Sequence, residues 1–126
     1  MKIDQHINRS ERIERSASKF SRDDDYEMFV EACMLAGTHL LNAALHHSGV
    51  TPDHHDLLHS DKPPLAAAVS AEIAQMMRAL KQIEDLRSGY LRGNKPWQPS
   101  DGDMCSRNMA SIRATADRLL KAEVKS

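Results

Sequence analysis

The stretch 23–49, DDDYEMFVEACMLAGTHLLNAALHHSG, decides the fold class of this chain. Tyr26, Phe29, Val30, Cys33, Ala36, Leu40, Leu41 and Ala44 recur at steps of three and four, the period of one helical face. The aspartates at 23–25 supply an N-cap and favourable first-turn charge, and Gly49 stops the helix. Beyond that stop, Thr51 as N-cap and Pro52 at the first helical position predict a short helix over 52–59, inside the 50–60 connector.

From Leu65 to Leu91 the apolar residues Val69, Ile73, Met76, Met77, Leu80, Ile83, Leu86 and Tyr90 cover a broad face, which predicts the central helix. GNKPWQPSDG (93–102) reads as a loop, with Ser100 and Asp103 resembling a capping box. A last helix carries Cys105, Met109, Ile112, Ala116, Leu119 and Ala122 on its seam. On the N-terminal side, Ile3, Ile7, Ile13, Ala17 and Phe20 mark a thin amphipathic helix with one wide gap in its seam. No segment alternates with the two-residue period of a strand. The expected fold is all-α: an antiparallel four-helix bundle with one additional short helix in the connector. One domain accounts for the chain, the helix at 1–22 packing with a bundle formed by 23–126.

With 28% charged residues and a formal net charge of -1, the chain lacks the basic excess of a dedicated nucleic-acid binder. Locally Lys2, Arg9, Arg12, Arg15, Lys19 and Arg22 outnumber Asp4, Glu11 and Glu14, as a solvated helix face does. Cys33 and Cys105 fall at apolar helical positions and read as reduced core residues. There is no signal-peptide pattern and no apolar run approaching the ~20 residues of a membrane span, so a cytoplasmic protein without a membrane partner is expected.

Two groups of residues break the core pattern. Arg87 falls in the middle of the apolar stripe of the 65–91 helix, where a guanidinium must find acceptors: it pairs with a carboxylate on another helix, bonds carbonyls near a helix end, or faces a cleft or a dimer partner. Just after it, Tyr90, Arg92, Lys95 and Trp97 mix cations with rings, as binders of phosphates and bases do. The alternative for Trp97 is a cover over the open end of the bundle.

The ladder from Tyr26, the histidine-bearing connector, the ending MRALKQIEDLRSGYLRG and the segment ASIRATADRLLKA together resemble the helical HEPN domains of prokaryotes over roughly 24–122. The resemblance rests on helix order, connector placement and the L-R-x-x-Y ending at Leu86, Arg87 and Tyr90. It implies a bundle, often homodimeric, in proteins linked to RNA cleavage, nucleotide binding or toxin and antitoxin pairs. Catalytic members carry an arginine followed after four to six residues by a histidine. After Arg87, six intervening residues lead to Asn94, whose amide cannot shuttle protons as imidazole does. The first functional reading is therefore a non-catalytic binding or regulatory protein, forming a homodimer and taking a protein partner, a nucleotide or RNA through Arg87, Tyr90, Arg92, Lys95 and Trp97, with no cofactor.

The second reading starts from ALHHSGVTPDHHDLLHS (44–60), which holds five of the seven histidines. His55 and His59 lie four apart and share a face if 52–59 is helical, close enough to share zinc or another divalent transition metal. His47, His54 or Asp56 would complete the ligand set, giving His47, His54, His55 and His59 as the candidate metal residues of a metal-binding protein or metal-dependent enzyme. The competing account is a helix end meeting a helix start: the C-terminal dipole favours imidazolium at His46 and His47 and the N-terminal dipole disfavours it at His54 and His55.

Overall fold

The structure, a computed structural model, describes residues 1–57, 69–93 and 95–121, and for Leu91 and Arg92 the backbone alone. Four helices make up the fold: α1 (Ile3–Ala17), α2 (Tyr26–His47), α3 (Ala71–Arg92) and α4 (Pro99–Lys121). No strand occurs among the described residues, so the protein is all-α.

The hub is α2, not the helix after residue 65. It packs against α1, α3 and α4, whereas α3 packs against α2 and α4. The physical reason is that α2 is apolar or small on nearly every side: Val30, Met34, Ala36, Leu40, Leu41, Ala43, Ala44 and Leu45 are all buried. The core continues through Ile73, Met76, Leu80, Ile83 and Leu86 of α3 and Cys105, Met109, Ile112 and Ala116 of α4. Each large apolar side chain taken out of water stabilises the fold by about 1.5–3 kcal/mol. By length and composition α2 also meets the threshold for a membrane span, contrary to the expectation above, but most of that helix is buried inside the protein.

At 37 the hub carries a glycine because two neighbours come close. A Cβ there would stand 3.0 Å from Leu80 Cδ1 and 3.5 Å from Ile112 Cδ1. Cys33 and Cys105 are free thiols in the same core. A hydrogen bond with Cys33, together with burial, pushes the Cys105 thiol well above its ordinary value.

Helix boundaries depart from the sequence expectation where a capping group is used otherwise. Asp25 precedes α2, but its carboxylate accepts the Ser21 N–H (2.9 Å) and makes no cap bond. Gly49 follows α2 at φ 78, the left-handed conformation that ends a helix. Thr51 does not start a helix; its side chain lies 2.8 Å from His46 Nδ1. Residues 51–57 are not helical, and a turn there is closed by His55 N–H on the Pro52 carbonyl (3.0 Å). Residues 58 and 59, the rest of the predicted short helix, lie outside the described residues.

Similarly, α3 begins at Ala71, where Ser70 Oγ accepts from the Ile73 N–H (3.2 Å). Val69 precedes that cap, and 65–68 lie outside the described residues. Pro99 opens α4, with the Asp101 carboxylate on the Gln98 N–H (3.1 Å). Asp103 caps nothing and instead pairs with Arg22.

Candidate functional site

The seam of α1 explains how a polar helix reaches the interior. Its wide gap is filled by Ser10, fully buried, and His6 is buried one turn earlier, so the inward face runs His6, Ile7, Ser10, Ile13, Ala17. From α4, Arg113 reaches across to Ser10 Oγ (3.0 Å) and Glu14 Oε1 (2.9 Å), fixing α1 in rotation. That rotation presents His6 to the end of α2, where His46 also faces inward.

Both imidazoles converge on the connector. His6 Nε2 and His46 Nε2 each lie 2.8 Å from Asp56 Oδ1. Their side chains are 2% and 0% exposed, whereas Asp56 is 31% exposed and forms the open edge of the cluster. The amino group of Met1 donates to Asp56 Oδ2 (2.9 Å) and to the Asp53 carbonyl (2.6 Å). The connector is pinned to α2 separately: Asn42 donates to the Leu57 carbonyl (3.0 Å) and accepts the Leu57 N–H (2.8 Å).

Donor and acceptor arithmetic fixes the tautomers. A carboxylate only accepts, so both Nε2 atoms carry protons and, in neutral rings, both Nδ1 atoms are lone pairs. The lone pair of His6 Nδ1 therefore accepts from His39 Nδ1, 2.9 Å away. At His46, Nδ1 accepts from the Thr51 hydroxyl (2.8 Å) while the Thr51 carbonyl stands 3.2 Å off with no proton to take.

Burial pulls the His6 imidazole below its ordinary value against the opposing pull of Asp56. His39 is lowered as well, first by burial and then by the nearby His6 and Arg9. Partial burial pushes the Asp56 carboxyl upward, but hydrogen bonds from the amino terminus, His6 and His46 outweigh it and hold the group well below the carboxylate range.

His6, His46 and Asp56 each offer one ligand atom, and these atoms all lie within 4.8 Å of one another, close enough to hold a single metal ion. The predicted set is not the one that converges. His54 and His55 are exposed on the turn, His47 lines a surface groove between α1 and α4, and none of the three joins the cluster. His59 lies outside the described residues. The neighbour of His47 is used because one residue on a helix is a rotation of ~100°, and α1 covers the side that carries His39 and His46. Asp56 was visible as a possible ligand, but His6 was not, because it sits far from the histidine-rich segment.

Arg87, the polar residue in the apolar stripe, bonds Glu31 of α2 at 2.5 Å, each partner about one-third exposed. Tyr90 joins a ring cluster in which Trp97 stacks on Tyr26 (centroids 4.8 Å) and Tyr90 meets Tyr26 edge-on (5.4 Å). Carboxylates close it: Asp23 accepts the Trp97 Nε1–H (2.9 Å) and Asp101 accepts the Tyr90 hydroxyl. Burial and that bond push the Tyr90 phenol up to about 12. Lys95 is exposed, its Nζ 5.8 Å from the Tyr90 ring centre, and the Arg92 side chain lies outside the described residues. The segment is thus a cover over one end of the helices.

No family model, no curated protein and no solved structure matches this chain.

Proposed function

We propose that this chain is a metal-binding protein in which His6, His46 and Asp56 hold one divalent transition ion. The observation that carries this reading is the Thr51 carbonyl, 3.2 Å from His46 Nδ1. A ring that ligates through Nε2 must carry its proton on Nδ1 and normally donates it to a carbonyl or carboxylate. That acceptor is already in place, although the metal-free tautomer has no use for it.

Dimensions also suit an ion. Bonds of 2.0–2.1 Å to a tetrahedral centre separate ligand atoms by about 3.3 Å; each imidazole lies 2.8 Å from Asp56 Oδ1, and the ligand atoms of the three residues all lie within 4.8 Å of one another. Two imidazoles and one carboxylate suit zinc or iron(II), and three protein ligands leave positions for water or a further ligand at the exposed Asp56 edge. The reading takes the four helices as an antiparallel bundle clamped where α1, α2 and the connector meet.

The test is a zinc and cobalt(II) titration of untagged, chelator-stripped protein. One tightly held equivalent is expected, lost in His46→Ala and Asp56→Asn and kept in His54→Ala. Absence of uptake, or uptake that follows His54, overturns the reading.

A second reading keeps the HEPN-like, dimeric binding module, supported by the exposed Lys95 over the Tyr90 ring. Glu31, Asp23 and Asp101 weigh against a phosphate there, since each carboxylate is beside the group that would have to receive it. Its test is salt-dependent nucleotide or RNA binding that disappears in Lys95→Ala.

A further inference from the structure

Resting on the metal reading above, we infer that His39 is the positioning residue of the His6 ligand: the hydrogen bond between their Nδ1 atoms reverses direction when the ion binds. The argument starts from the 2.9 Å contact between two nitrogens of like kind, which requires one ring to donate and the other to accept. While His6 Nε2 bonds Asp56, the donor is His39.

A metal at His6 Nε2 forbids that arrangement. The Nε2 proton departs to water, the lone pair it leaves behind goes to the ion, and a neutral His6 ring must then carry a proton on Nδ1. His39 Nδ1 then has to present a lone pair. The proton it held passes across the 2.9 Å contact to His6, and His39 takes one from water on Nε2. Each ring keeps one proton throughout, so the pair neither gains nor loses charge. Histidine is suited to this position because it presents a donor or an acceptor from the same atom.

The fold supplies what the exchange needs. His39 lies two turns before His46 on α2, next to α1, so the two helices that carry the ligands also fix the contact; the His6 and His39 ring centroids are 5.1 Å apart. His6 itself is buried and has no route of its own for a proton on Nδ1, whereas His39 is half-buried and reaches the surface. At His46 the Thr51 hydroxyl and carbonyl do the equivalent work without a second ring.

The test is nitrogen-15 NMR of the histidine rings of the full chain, recorded while zinc is titrated into chelator-stripped protein, with zinc affinities measured for His39→Leu and His39→Gln. Zinc is expected to move the His39 proton from Nδ1 to Nε2. His39→Leu should bind ten- to a hundredfold more weakly, the usual effect of losing an outer hydrogen-bond partner. His39→Gln, whose carbonyl accepts from His6 Nδ1–H, should recover most of that loss. Zinc uptake with an unchanged His39 tautomer, or undiminished affinity in His39→Leu, overturns this inference and leaves the metal reading standing. No zinc uptake by the unsubstituted protein overturns both.

Discussion

His6 and His46 hold their ring centroids 5.3 Å apart around one carboxylate oxygen, Asp56 Oδ1, which each Nε2 approaches to 2.8 Å. The three residues come from α1, α2 and the connector, so whatever strengthens their meeting ties three segments together. Zinc at a hundred times its dissociation constant should stabilise the fold by about 2.7 kcal/mol and raise the thermal midpoint by several degrees. Asp56→Asn should abolish that rise. It should also cost the metal-free protein about 1–3 kcal/mol, because two buried ring N–H groups lose a charged acceptor. Calorimetry with and without zinc reads both effects.

The same cluster makes metal-free stability depend on pH. His6 and His39 are held below the ordinary imidazole value of 6.5. As pH falls through 6.5 the unfolded chain takes up protons on these rings before the folded chain does, so the unfolded state binds more protons and stability declines. Asp56, held well below 3.8, adds a second loss as pH falls beneath that value, where the unfolded carboxyl protonates first. The thermal midpoint of chelator-treated protein should drop between about pH 7 and about pH 5, with a shallower slope in His39→Leu. A midpoint that stays flat over that window contradicts the burial of these rings.

How much of this was legible in the residues depends on the range of the interaction. Periodicity located all four helices, because the inward face of each repeats every three to four positions. The carboxylate partner of Arg87 on another helix and the Trp97 cover were also readable, each from one residue that breaks a local pattern. Breadth of the apolar face points to the 65–91 helix as the hub, while alanines and Gly37 let α1, α3 and α4 close on α2. The isoleucine seam of α1 passes over His6, and the buried Ser10 that fills its gap reads as polar. The connector looked helical because Thr51 and Pro52 have capping chemistry, yet that threonine serves His46. Convergence of residues 6, 46 and 56 depends on how α1 docks, and no local spacing encodes that.

Arg87 and Glu31 should contribute modestly. The pair is about one-third exposed on each side, which places its coupling at about 1 kcal/mol or less in a double-mutant cycle. Arg87→Ala and Glu31→Ala should each lower stability, and the double variant should lose less than their sum. Additive losses in urea unfolding would show that the 2.5 Å contact carries no energy of its own.

The cover formed by Tyr26, Tyr90 and Trp97 offers an optical readout, since Trp97 is the sole tryptophan. Asp101→Asn removes the charged acceptor of the Tyr90 hydroxyl and should lower stability while shifting Trp97 emission. Raising the pH tests the same bond. Tyr90 ionises at 10.0 when unfolded and at about 12 when folded, so its contribution is fully present below 10.0 and is lost as pH climbs toward about 12. Absorbance titration should show the Tyr90 phenol ionising at higher pH in the folded protein than in denaturant.

The junction at Gly37 provides a test of the hub that is independent of every titratable group. Valine there places a Cβ 3.0 Å from Leu80 Cδ1 and 3.5 Å from Ile112 Cδ1, with two further methyl groups to fit among α2, α3 and α4. Overpacking of this kind costs about 1–3 kcal/mol. Leu80→Ala alone leaves a cavity and costs about 2–5 kcal/mol. Combined, the larger residue at 37 fills space vacated at 80, so the double variant should be more stable than the sum of the two losses predicts. Urea unfolding of the four proteins gives the cycle, and strict additivity would mean that α3 does not approach α2 at this position.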